Sequence, residues 1–172
     1  MSCSQTLAGI ARDCQPNMGG IAEVYLANRS DVTAVTLTDG KVSGITMASG
    51  KTFFIYQFAR GTASMTSTFN VNVENGVNYV GTDLVMIFNR METSKRVEVT
   101  ALAVNDLYAI VKDNNGAYWL LGFDNPVNMG AGEAPTGTAL TDRNGYSVTL
   151  HDDSRELPYE VNASIISGLL PA

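Results

Sequence analysis

Apolar and polar residues alternate over much of this chain, and that alternation predicts strands. The clearest case is Thr62–Val73, where Met65, Phe69, Val71 and Val73 fall on one face and Thr66, Thr68, Asn70 and Asn72 on the other. A period of two describes a half-buried strand, with Arg60-Gly61 as the turn before it. Ile21–Ala27 and Val32–Leu37 are short β-rich runs separated by Asn28–Asp31, which suits a hairpin. The polar stretch Thr38–Gly50 reads as a loop with a weak edge strand at Ile45–Met47. Lys51–Ala59 gathers Phe53, Phe54, Tyr56 and Phe58 around Ile55, a density that predicts a strand buried on both faces.

Between Val80 and Met91 the period changes. Leu84, Ile87, Phe88 and Met91 stand at helical spacing, and Thr82 or Asp83 can cap a first turn. Asp83–Met91 is therefore expected to be the single short helix, with a strand as the alternative for so short an apolar run. Arg96–Val104, Leu107–Lys112 and Ala117–Phe123 read as three strands, the last two joined by the tight turn Asp113-Asn114-Asn115-Gly116. Asn125–Thr141 is rich in Gly, Pro, Ala and Thr and reads as an extended loop. A turn at Asp142–Gly145 leads into a strand at Tyr146–His151. The expectation is one mainly β domain over residues 1–172. It would be a β-sandwich or partial barrel with one short helix and two extended arms, at residues 1–20 and 158–172.

Composition agrees with that class. The chain has 172 residues, 45% of them apolar and 16% charged, against about 25% charged in a typical soluble domain. The net charge of −6 excludes general attraction to nucleic-acid phosphates. Residues 1–105 hold eight basic and eight acidic side chains, so the whole excess lies in residues 106–172. Met1–Gly9 lacks both a basic n-region and a continuous apolar h-region, and no stretch approaches the roughly 20 apolar residues of a membrane span. With that start, Cys3 and Cys14 are expected to be reduced thiols.

No constellation announces a reaction. In Gly44-Ile-Thr-Met-Ala-Ser-Gly50-Lys51-Thr52 five residues separate the first glycine from the Gly-Lys pair, one more than a phosphate-binding loop has, and a strand pattern follows. His151 is the only histidine, follows a strand and precedes Asp152 and Asp153, as an ordinary strand-end residue would. Asp152, Asp153 and Glu156 lack EF-hand spacing and read as a polar turn. Asp113 and Asp142 open Asx-type turns. Arg90, Lys95 and Arg96 are interleaved with Glu92 and Glu98, a weak basis for nucleic-acid binding. Trp119, in an apolar strand, reads as a core or interface anchor. Neither enzymatic activity nor a cofactor or metal is expected.

The order of elements from Phe53 to Leu150 resembles the tail tube proteins of tailed bacteriophages. The features that match are the paired runs Phe53–Ala59 and Thr62–Val73, the segment Asp83–Met91, the Ile110–Gly122 hairpin, and a Gly/Thr loop running into Thr141–Leu150. The resemblance implies a β-sandwich subunit of a virion, made in the host cytoplasm and assembling into stacked rings, with six subunits expected per ring. Inner sheets would join into a barrel around a channel for DNA that passes without specific binding. Loops and arms would tie ring to ring and to other tail or connector proteins. No catalytic residue and no membrane contact is implied.

On that expectation Leu7, Ile10, Ile165, Ile166, Leu169 and Leu170 are candidates for self-association, because apolar ends are poorly placed in free solvent. Asp106, Asp113, Asp124, Glu133, Asp142, Asp152 and Asp153 are candidates for an acidic lumen that repels phosphates. Another virion component (a connector ring, tail terminator or head decoration) is the alternative. A carbohydrate- or cell-surface-binding β domain is a third reading, and it requires Tyr118 and Trp119 to be exposed.

Overall fold

The computed structural model describes residues 7–171. Among these residues eleven strands form two sheets, two helices pack against them, and the fold is a mainly β sandwich without a closed barrel. The larger sheet holds β1 (Ile21–Asn28), β2 (Val32–Thr38), β3 (Lys41–Met47), β4 (Phe54–Gln57), β7 (Leu107–Asp113), β8 (Tyr118–Leu121) and β11 (Tyr159–Val161), in the order β2-β3-β11-β8-β7-β1-β4. The smaller holds β5 (Ala63–Asn72), β6 (Val77–Asn89), β9 (Asn128–Glu133) and β10 (Gly145–Ser154), in the order β5-β6-β10-β9. Helix α1 (Thr93–Val104) carries the chain from the smaller sheet to the larger, and α2 (Ala163–Leu169) follows β11. Among the described residues no helix is long and apolar enough to cross a membrane.

The larger sheet is buried on both faces at its centre. In β1, Val24 and Leu26 point toward the smaller sheet while Tyr25 and Ala27 point away, and all four are buried. In β7, Leu107, Ala109 and Val111 face the smaller sheet and Tyr108 and Ile110 the opposite side. Continuous apolar runs arise where both faces of a strand are covered. The first core layer is completed by Leu84, Met86, Val148 and Leu150 of the smaller sheet and by Leu102 of α1. The second is closed by Ile166 and Leu169 of α2, with Phe53, Val42 and Leu120.

Several sequence expectations are corrected here. β1 and β2 do not form a hairpin: β1 pairs with β4 and β7, and β2 with β3, while a single 3-10 turn at Arg29–Asp31 separates them. The strand buried on both faces is not in Lys51–Ala59. Only Phe54–Gln57 is extended there, on a sheet edge, with Phe54 and Ile55 exposed and Phe53 buried just before it. Asp83–Met91 is not a helix, because residues through Asn89 belong to β6, paired with β5 and β10. The longer helix forms instead at Thr93–Val104, in the segment read as a strand. Residues 158–171 are not a free arm, since they contain β11 and α2, both built into the larger sheet and its second core layer. Part of the 125–141 loop is strand β9.

Candidate assembly surface

β5 and β6 are longer than the body that supports them. The last rung between β6 and β10 is Val80↔Ser154, so Val77–Tyr79 have β5 as their only partner in the sheet. The inward face of this two-stranded overhang continues the core pattern into open space. Phe69, Val71 and Val73 are 60%, 64% and 89% exposed, although Val80, opposite Phe69, is buried. Beneath the overhang lies a cleft of about 820 Å³, lined by Phe69 and Asn78 on the hairpin and by Trp119, Tyr159, Lys41 and Arg155 on the body. Trp119 is half-buried there, and its indole N–H is held by Asp113 Oδ2 at 3.1 Å.

β5 is also an outer strand of its sheet, and β9 is the other. The ten residues of β5 include no charged side chain and no proline. A long edge of this kind lacks the devices that usually keep sheet edges from pairing. β9 is shorter and irregular, with a register shift where it meets Thr149 and Leu150.

The outward face of the smaller sheet is polar along β5 and β10, whereas β6 runs Val77, Tyr79, Gly81, Asp83, Val85 and Ile87 along it. β5 contributes Ser64, Thr66, Thr68, Asn70 and Asn72, and β10 contributes Ser147, Thr149, His151 and Asp153. β6 adds Asp83, and Glu133 of β9 sits opposite Ser147. Within the four strands no Lys or Arg occurs. His151 Nδ1 lies 2.6 Å from Asp83 Oδ1 and Nε2 lies 3.1 Å from Asp153 Oδ1. The bond to Asp83 raises the imidazole pKa above its ordinary 6.5, against an opposing effect of partial burial.

Of the seven acids singled out in the sequence, only Glu133 and Asp153 lie on that outward face. Asp106 accepts from the Asn128 side chain, Asp124 from the Arg155 backbone N–H, and Asp142 from the N–H groups of Thr138 and Ala139. Those two backbone bonds lower the Asp142 pKa. Asp113 organises the β7–β8 turn. Asp152 points inward opposite Thr82 and is 2% exposed. Its Oδ2 accepts from Ser154 while Oδ1 has no partner among the described residues, and burial raises its pKa.

The self-association candidates divide. Leu7 and Ile10 are 95% and 102% exposed, on a segment whose anchors begin at Asn17 and Met18, both bound to Asn115. Ile166 and Leu169 are buried in the home core, with Ile165 and Leu170 packed against it. Cys14 is exposed, and Cys3 lies outside the described residues. Asp83, Gly81 and the apolar overhang were not singled out from sequence. Strict alternation carried Phe69 and Val71, but only the end of β10 reveals that their face is uncovered. No family model, no curated protein and no solved structure matches this chain.

Proposed function

We propose that this protein is a structural virion subunit that pairs edge to edge into rings and stacks them into a phage tail tube. The observation that carries the reading is the uncharged ten-residue edge of β5, at the opposite side of the smaller sheet from the open edge of β9. Pairing β5 of one copy with β9 of the next is a heterologous contact, and such contacts close into a ring when the rotation between subunits closes. A closed ring also removes both exposed edges. The outward face of that sheet would then line the channel, where Ser, Thr and Asn with Asp83, Asp153 and Glu133 offer phosphates no Lys or Arg, and His151 is held between two of the acids. The apolar overhang and the exposed Leu7–Ile10 segment supply surfaces for a ring above or below. In this reading the subunit is not an enzyme and grips no DNA sequence.

The test places a charge on the edge. Thr66→Lys with Thr68→Lys alters two exposed side chains of β5, and surface changes of this kind shift stability by about 0.5 kcal/mol or less. The wild-type chain at high concentration, alone or with an initiating tail complex, is expected to give hollow tubes in negative-stain images and fast-sedimenting species. The double variant is expected to remain monomeric with an unchanged Tm. A wild-type chain that stays monodisperse and monomeric under both conditions overturns the reading.

A further inference from the structure

Three acids, Asp83, Asp152 and Asp153, and the histidine near the end of β10 stand at the root of the overhanging hairpin. His151, Asp152 and Asp153 pair with Asp83, Thr82 and Gly81, and one rung later β10 ends and β5–β6 continues alone. The imidazole lies over Gly81: a Cβ built there would come within 3.5 Å of His151 Cε1 and 3.6 Å of Asp153 Oδ1. On its other side a Cβ built at Gly130 of β9 would lie 3.4 Å from the His151 Cβ. Both are ordinary van der Waals distances, and the ring reaches one carboxylate with each nitrogen. A neutral imidazole has one N–H and one lone pair, so only the imidazolium donates to both carboxylates.

We propose that His151 is a proton-operated latch at the base of the β5–β6 overhang, stiff when the imidazole is charged and loosened when it is neutral. In the charged state one cation ties β6 to β10 through Asp83 and neutralises part of the Asp83–Asp153 repulsion. Loss of the proton turns a lone pair toward one carboxylate and leaves the acids facing each other. The surroundings supply no substitute cation. β5 presents Thr66, Ser67 and Thr68 at these rungs, with the Asn70 amide near Gly81, β9 presents Asn128, and the 122–127 loop presents Asp124. Inward-facing Asp152 adds a further acid on the same rungs, and Arg155, the next cation along the chain, forms no ion pair among the described residues. The folded-state pKa of His151 is raised, so the latch is complete below pH 6.5 and is lost as pH rises through the higher folded value. The proposal concerns the unassembled chain and does not rest on the tube reading.

The full-length chain, dilute enough to be monomeric, provides the test. Because it has one histidine, a single imidazole resonance follows the titration by 15N NMR. Amide exchange of the hydrogen-bonded rungs between Asn70 and Tyr79 is measured in parallel, each rate divided by its intrinsic value at that pH. The wild-type midpoint is expected above the ordinary value, moving down in Asp83→Asn and in Asp153→Asn. Protection of the overhang is expected to fall several-fold across the wild-type transition, and to be independent of pH in His151→Gln. An ordinary midpoint that neither variant moves overturns the latch, and so does overhang protection that ignores the titration.

Discussion

The Trp119 indole N–H donates to Asp113 Oδ2 across 3.1 Å, so the residue that opens the β7–β8 turn also fixes the largest side chain of the strand that follows it. Asp113 Oδ1 accepts at the same time from the N–H groups of Asn115 and Ala117, each at 2.9 Å. One carboxylate therefore sets the turn, the hairpin register and the wall of the cleft beneath the overhang.

Gly116 stands at φ +88° with nothing within 4 Å of where a Cβ would lie, so its replacement is penalised by backbone strain rather than by collision. Gly116→Val is expected to cost about 1–3 kcal/mol. Asp113→Ala, which removes three accepted bonds, is expected to cost a similar amount, about 1–3 kcal/mol. Urea denaturation of each variant checks both, and the Asp113 variant is additionally expected to alter Trp119 fluorescence.

Asp152 gives a pH dependence of definite sign. Burial holds its folded-state pKa above the ordinary 3.8, so the stability it contributes is complete below that pH and declines as pH rises through the folded value. Asp152→Asn is expected to abolish this decline. At neutral pH the variant should be the more stable by about 1–2 kcal/mol, because no charge is then held away from water. Denaturation midpoints over a pH series, wild type against variant, should diverge with increasing pH.

Helix α2 belongs to the monomer. Leu169 O accepts from the Phe53 N–H at 2.8 Å, and Ile166 and Leu169 close the second face of the larger sheet. Ile166→Ala and Leu169→Ala should each cost about 2–5 kcal/mol. Removing residues 163–171 is expected to unfold or severely destabilise the chain, detectable as a lowered Tm in the dilute protein.

The Leu7–Ile10 segment should behave in the opposite way. Leu7→Ser with Ile10→Ser changes two fully exposed side chains, and the monomer Tm is expected to remain within error. On the proposed assembly, tube yield measured by sedimentation should fall. A lowered monomer Tm would mean that these side chains serve the home fold instead.

Local signals in the sequence determined the mainly β class, the Asp113–Gly116 turn and the two faces of β5. Each is a short-range consequence of residue type: positive φ at Gly116, Asx hydrogen bonding at Asp113, and side chains alternating along an extended backbone. The 83–91 segment shows where such signals end. Leu84 and Phe88 satisfy a helical period and a strand period equally. Seven rungs with β10 and four with β5 chose the strand, because its backbone bonds and the inward Leu84 and Met86 are satisfied only there. Arg96–Val104, which reads as a strand in sequence, lies within a helix for the reverse reason. Its β-branched residues suit a strand, but Val99 and Leu102, three apart, reach the core only from a helix. The tertiary structure alone also decided the surface. α2 is a cover rather than an arm because β1 and β7 are apolar on both sides and need a second layer. Asp152 turned inward while Asp153 and His151 turned out, because pairing with β6 set the phase of an alternation whose acids look alike in sequence.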